Sequence, residues 1–481
     1  MEEAQLQPCI KVQLGKHELE SIVDKAKDWA LMHGIGIRSK VAFNKNQLQV
    51  LPFTLLPSSF PKENFQRAKS IQTLLNKLMH KVAHNHDFLQ KSLKSTVNAD
   101  PFTARLFHIY ETVYKEGFAQ SLSLGLFRSD YMLHENQIKQ VEFNTIASSF
   151  GGIVTVATQW HKYILPQLGY EDQLKNIPDN NPINGLSKGL TRAWEMYDAE
   201  KAVILFIVES ITYNICDQRF HEFEIHKINP KIRVIRRNLS NLVSEAKLGP
   251  NKELMVGDSE VAVVYFRSGY EVNAYPTERE WEVRLLIERS RAIKCPSIQY
   301  HLAGTKKVQQ SLAYPGALNV FVKDESARKQ IQEVFTGLYS LEFNDEAEAI
   351  IDKAIAEPGK YVLKPQREGG GNNVYGEDVK VQLESMRKTE ERCGWILMDR
   401  LYPPAQSNYV VRARNEPFED NHLNFSNVVS ELGVYGVVIG DCDIIEYNEE
   451  VGHILRTKSH DEDEGGIAAG IGAIDTPYLI D

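Results

Sequence analysis

Long apolar runs are missing from this chain. None approaches the roughly 20 residues of a membrane-spanning helix, so no membrane partner is expected. Cysteine is scarce: Cys9, Cys216, Cys295, Cys393 and Cys442 are odd in number, far apart and never spaced as CxxC. A disulfide framework or zinc site is therefore not expected; buried free thiols in a reducing compartment are. No basic tail or stripe interrupts a balance of 55 Lys and Arg against 64 Asp and Glu, which speaks against a nucleic-acid partner. The opening MEEAQLQPC lacks the cationic start and apolar segment of a signal peptide. It points to a cytoplasmic location, although a leader already removed would leave no mark. Internal repeats and low-complexity segments are absent. So are Gly-x-Ser-x-Gly and His-Glu-x-x-His, which leaves no case for a side-chain nucleophile.

What is present is ordinary for a globular protein: 481 residues, 42% hydrophobic and 25% charged. That length builds a large core and suggests about three domains. Up to about residue 125 the pattern is mainly helical. HELESIVDKAKDWALMHG carries apolar residues at helical spacing. KENFQRAKSIQTLLNKLMHKVAHNHDFLQKSL is one long helix or two. DPFTARLFHIYETVYKEGFAQSLSLGL starts with Asp100 as N-cap and Pro101 in the first turn. QIKQVEFN alternates as a strand does. From 202 to 303 the rhythm changes: AVILFIV is a strand buried on both faces, and KIRVIRR and VAVVYFR are further strands. These make a small α/β unit with a parallel sheet. A helix is expected near 325–339. YVLK, WILMDR and NVVSELGVYGVVIGDCDIIEY read as strands of an antiparallel sheet, with a turn at Gly440–Asp441.

Five motifs carry chemistry, each beside a plainer reading. VLKPQREGGGNN places Lys364, Arg367 and Glu368 before Gly369, Gly370 and Gly371. It is a flexible hairpin tip, or a loop whose backbone N–H groups cradle phosphate; it is neither Walker A nor GxGxxG. In QVEFNTIASSFGG, Glu142 and Asn144 share one strand face. They are a polar outer face or, with Glu368, oxygen donors for magnesium. In ILRTKSH, Arg456 and Lys458 share a face, a solvated edge or a cation pair beside the small-residue loop EGGIAAGIGA. YFRSGY leaves a strand with Arg267 and Tyr270 at a turn, where arginine binds a carboxylate bidentately or forms a surface ion pair. Asn214 and Gln218 stand one helical turn apart, as caps or as readers of a peptide backbone.

Together with PFTARLF, LAGTKKVQQ, SELGVYGV, GHILRTK and LPFTLLPS, these blocks resemble the signatures of eukaryotic glutathione synthetases, in order along nearly the whole chain. The resemblance implies a mixed α+β and α/β ATP-grasp fold, with an inserted α/β substrate-binding unit and an antiparallel-sheet lid. It implies residues 1–201 as a helical part and first core segment, 202–304 as the inserted unit, and 305–481 as the continued core with a lid at about 340–420. Carried over residue by residue, Glu142, Asn144 and Glu368 fall on magnesium ligands. Glu142, Lys306, Lys364, Gly369, Gly370, Gly371, Asn373, Tyr375, Met398, Asp399, Arg400, Leu401, Glu431 and Lys458 fall on contacts to the nucleotide and its metal. Arg128, Ser149, Asn214, Gln218, Arg267, Ser268, Gly269, Tyr270, Arg456, Ile467 and Ala468 fall on substrate contacts. Arg128, Lys364, Gly369, Gly370 and Arg456 are the implied catalytic set. Ala147 stands where a serine is common, and Thr212 where a glutamate is common.

The resemblance further implies a homodimer, two Mg2+ ions bound with ATP, and ATP-dependent ligation of γ-glutamylcysteine to glycine through an acyl phosphate. Ala468 and Ala469 favour glycine as acceptor. Two alternatives stand beside it: a related ligase with another acceptor or dipeptide, and a binding homologue without turnover.

Overall fold

The computed structural model describes residues 5–10, 14–413, 425–467 and 470–481. Its first helix, Lys16–His33, ends on Gly34 in the left-handed region, where glycine carries no Cβ penalty. The 62–93 stretch is two helices, Lys62–Ala83 and His86–Leu93, because the Asn85 side chain accepts from Phe88 N and starts the second. Asp100 caps Pro101–Glu116 as expected, its Oδ2 accepting from Thr103 N at 2.8 Å. That helix stops at Glu116, earlier than the expected stretch. Gly117, at φ +82°, turns the chain, and the alternating S-L-S-L-G-L opens the strand Ser123–His134.

This strand is the hub of a mixed sheet of 14 strands among the described residues. It pairs antiparallel with Gln137–Asn144 and with Ser426–Gly440. On its other end it meets Ile293–Cys295 in parallel, through Ser123 and Lys294. Ser259–Phe266, Val203–Ile207 and Val234–Arg237 continue that parallel part. The α/β unit is thus continuous with the central sheet. Every residue of Val203–Ile207 is buried, as a strand covered on both faces requires. Ser426–Gly440 turns at Gly440–Asp441 into its antiparallel neighbour Ile445–Ser459.

Tyr361–Pro365 and Trp395–Asp399 do not join those two strands. With Leu338–Ser340 they form a separate three-stranded antiparallel sheet. It has its own core, in which Leu363 and Leu397 pack with Ile351 and Leu383 from the helices Asp345–Ala356 and Glu377–Met386. The helix expected near 325–339 is shorter, Glu325–Val334. All five cysteines are free, but only Cys295 and Cys393 are buried; Cys442 is exposed in the hairpin turn. Among the described residues no helix is long and apolar enough to cross a membrane.

Candidate active site

The hub strand and its neighbours set charged side chains on one face. Arg128 lies opposite Asn144, and Asp130 opposite Glu142. Phe143, between the two ligand candidates, is buried on the other face, as strand alternation demands. Asp130 is fully buried and organises the group. It accepts from Arg128 Nε at 2.7 Å and Nη2 at 2.9 Å, from Asn144 Nδ2 at 2.9 Å, and from Arg456 Nη2 at 2.7 Å. Arg456 also binds Glu431, its partner on the adjoining strand. Gly433 makes room: a Cβ there would come within 2.7 Å of Asp130 Oδ1 and 2.9 Å of Arg128 Cδ.

Two lysines come in from the other side. Lys306, first residue of the helix Lys306–Ala313, sets Nζ 4.0 Å from Glu142 Oε2 and 3.8 Å from Glu368 Oε2. Lys364 Nζ donates to Val141 O at 3.1 Å. Burial alone would raise the Glu142 carboxyl, but Lys306, Lys364, Arg456 and Arg128 outweigh it and hold it at about 2. Glu368 goes the other way: burial and the Glu142 charge raise it. Burial lowers Lys364, and Lys306 adds to that. Burial also raises Glu431, with Asp130 and Glu142 adding repulsion. Two repelling carboxylates and an Asn144 Oδ1 whose amide nitrogen is already engaged form an oxygen donor set that fits a hard divalent cation.

The glycine loop closes over this cluster. Gly369 and Gly371 have φ of +85° and +94°, which glycine adopts freely. Gly371 N and Asn373 N donate to Glu464 at 3.0 and 3.3 Å, so a carboxylate from the second small-residue loop engages phosphate-type donors. Asn373 Nδ2 reaches Tyr375 Oη at 3.3 Å, and the Arg400 guanidinium lies 5.7 Å over the Tyr375 ring. Lys458 Nζ donates to Asp463 O at 2.6 Å; its pKa is lowered by burial. The Arg367 carbonyl accepts from Lys306 Nζ, but the arginine side chain does not enter the cluster. It pairs with Asp100 at 2.5 Å and ties the loop base to the helix start. Asp399 likewise turns away, accepting from the Tyr339 hydroxyl at 3.1 Å, while Met398 is buried in its strand and Leu401 lies just beyond it.

A second polar cluster adjoins the first. Arg267 and the turn Ser268–Gly269–Tyr270 leave the strand Ser259–Phe266, Gly269 at φ +99°. Arg267 Nη2 donates to Ser149 Oγ at 2.9 Å and to Asp217 Oδ2 at 2.8 Å. Arg267 Nε and Nη1, and Asn214 Oδ1, are buried with no partner among the described residues. Gln218 is fully buried nearby. The loop before the helix Gly151–Gln167 holds Ala147 and Phe150 at φ +51° and +77°, strain of the sort kept at functional sites. Ser149 links the clusters: its carbonyl accepts from Arg128 Nη1 at 3.5 Å and Tyr435 Oη at 2.5 Å. Ile467 is buried; Ala468 and Ala469 lie outside the described residues.

Asp130, Asp217 and Glu464 were not among the expected site residues. Arg128 and Asp130 share a strand face, a signal missed while residues 127–136 are assigned to no element. Glu464 sits in HDEDEGG, where nothing separates it from a solvated acidic run.

A mixed sheet, a separate small antiparallel sheet and a glycine loop between them, over clustered lysines and carboxylates, define an ATP-grasp ligase. Residues 16–479 match the family model described as eukaryotic glutathione synthase, ATP binding domain. The chain is 41% identical over 469 residues to a glutathione synthetase of Xenopus laevis, covering 96% of this chain and 97% of that one. It is 39% identical over 476 residues to a chloroplastic glutathione synthetase of Arabidopsis thaliana, covering 96% and 86%. A solved glutathione synthetase-like effector from Globodera pallida, in apo form, shares the fold with TM-score 0.77 and 24% identity, over 97% and 98% of the two chains. The chain belongs to the eukaryotic glutathione synthase family and is an ATP-dependent ligase.

Proposed function

We propose that this chain joins γ-glutamylcysteine to glycine, with ATP going to ADP and phosphate. The observation that carries the reading is Ser149. On one side of it lies a cation and carboxylate cluster under a glycine loop; on the other lies a group of buried polar side chains around Arg267.

The dipeptide's cysteinyl carboxylate attacks the γ-phosphorus of ATP, and ADP leaves. The resulting acyl phosphate is needed because a free carboxylate is a poor acceptor for an amine. The glycine amine then attacks the acyl carbon, loses a proton, and phosphate leaves with the former carboxylate oxygen. Lys306, Lys364, Arg128 and Arg456 neutralise charge on the transferring group, and Gly369 and Gly370 offer it N–H groups. Loop closure keeps water from the acyl phosphate. Glu142, Asn144 and Glu368 would hold magnesium, which when bound supplies further positive charge against the phosphates. Asn373, Tyr375, Lys458, Glu431 and the backbone of the 398–401 segment are the proposed nucleotide contacts. Ile467 and Ala468 are the proposed acceptor contacts. In this reading 202–304 is the dipeptide-binding unit and about 340–420 the lid.

A homodimer in the cytosol completes the proposal. Exposed Met32, Val41 and Phe43 in one short stretch support a second copy as partner, which sedimentation would detect. Phosphate release with γ-glutamylcysteine and a panel of amino acids tests the function. Glycine should be used best, ahead of β-alanine by about tenfold to a few hundredfold, the range open to a small pocket. A better rate with β-alanine or serine would favour a related ligase, and none with any acceptor a binding protein.

A further inference from the structure

One carboxylate at the second cluster has no task in the reaction as described. Glu209 lies two residues beyond the strand Val203–Ile207. Ile207 stands opposite Phe266 in the parallel neighbour, and Arg267 N donates to Ile207 O at 2.8 Å. On the other side Val208 N donates to Arg237 O at 2.9 Å. Glu209, Arg236 and Arg267 therefore gather at the carboxyl ends of three adjacent parallel strands, where open α/β sheets bind ligands. Glu209 Oε2 accepts from Gln218 Nε2 at 3.0 Å, and Gln218 Oε1 accepts from Arg236 Nη2 at 2.5 Å. Among the described residues no donor reaches Glu209 Oε1. Tyr270 faces the same acid: burial and then the Glu209 charge push its phenol up to about 12.

The γ-glutamyl end of the dipeptide brings an α-carboxylate and an α-ammonium. Arg267, the cation at the ends of these strands, suits the carboxylate. The ammonium needs a charged acceptor. Asp217 is fully buried and already paired with Arg267. Thr212 is neutral, and its hydroxyl donates back to Glu209 O at 3.4 Å. We infer that Glu209 receives the α-ammonium of the γ-glutamyl group and makes that amino group a requirement of the site. The inference rests on γ-glutamylcysteine being the donor substrate.

The test is kcat/KM for γ-glutamylcysteine and for N-glutarylcysteine, the same molecule with hydrogen in place of the ammonium, in the wild type and Glu209→Gln. The wild type should prefer γ-glutamylcysteine by about tenfold to a hundredfold, the value of one charge-assisted hydrogen bond. Glu209→Gln should lose that preference by falling on γ-glutamylcysteine alone, with the KM for ATP unchanged. Adding Thr212→Glu to Glu209→Gln should restore part of it. Arg236 Nη2 lies 3.5 Å from Thr212 Oγ1, so that side chain faces the same place. An unchanged preference in Glu209→Gln, or an equal loss on both substrates, would overturn the assignment. A wild type that uses neither substrate would instead overturn the donor reading on which it rests.

Discussion

Asp130→Asn removes one charge from the centre of the site. Four donors converge on that carboxylate, from Arg128, Asn144 and Arg456. The amide keeps one acceptor oxygen and turns an NH2 toward donors, leaving the buried Arg128 and the half-buried Arg456 with less than they need. Breaking a buried ion pair typically costs about 3–5 kcal/mol. The lower end applies, because Arg456 keeps Glu431 and Arg128 keeps the Ser149 carbonyl. The variant should fold with stability reduced by about 3 kcal/mol and a Tm lower by several degrees. Both arginines lose their anchor, and a misplacement near 1 Å costs about a hundredfold in rate. Phosphate release with dipeptide and glycine should therefore fall about a hundredfold or more, with a much smaller change in the KM for ATP. Thermal unfolding and steady-state kinetics on the same preparation decide it. A folded variant with unchanged Tm and turnover within threefold of wild type would refute Asp130 as the organising residue.

Other perturbations act on separate parts of the account. Gly433→Ala drives a Cβ against Asp130 and Arg128 and should lower turnover by about tenfold; a fully active variant would show that the pair can shift at no cost. Glu368→Gln should keep the fold and lose at least about a hundredfold in turnover, with weaker dependence on magnesium; normal phosphate release would remove Glu368 from the metal set. Glu464→Ala should speed hydrogen exchange at Gly371 and Asn373 in the free protein, since it removes their acceptor; equal protection would deny the contact in solution. Acid should unfold the protein early. Burial lowers His80 and His161 to about 4 and His221, His301 and His453 to about 3, so each is neutral in the fold and gains a proton on unfolding. Stability then falls as pH drops below about 6.5, by about 1.4 kcal/mol per pH unit for each ring that responds. A denaturant midpoint that stays flat from pH 6.5 to 5 would contradict this.

Local signals placed much of this site. Strand alternation put Glu142 with Asn144 and Arg456 with Lys458, and the structure keeps both pairs on their strands. The Asp100 cap and the doubly buried 203–207 strand were equally legible, since each is settled by a few neighbouring residues. The split of the antiparallel strands into two sheets was not, because pairing between 361–365 and 395–399 is fixed by a core that only the folded chain assembles. The meeting of Lys306 with Glu142 and Glu368 joins three distant segments, and only the resemblance brought Lys306 into it. Asp130 and Glu464 lay outside even that, one in a segment assigned to no element and one in an acidic run.

The account's central claim is that this cluster drives ligation by phosphorylating the dipeptide's carboxylate. γ-Glutamylcysteine labelled with 18O in its cysteinyl carboxylate tests this directly, with ATP, magnesium and glycine, by mass spectrometry of the phosphate released. One labelled oxygen in each phosphate, matched by equimolar tripeptide, is the predicted result. Phosphate released without label while tripeptide forms would contradict the account.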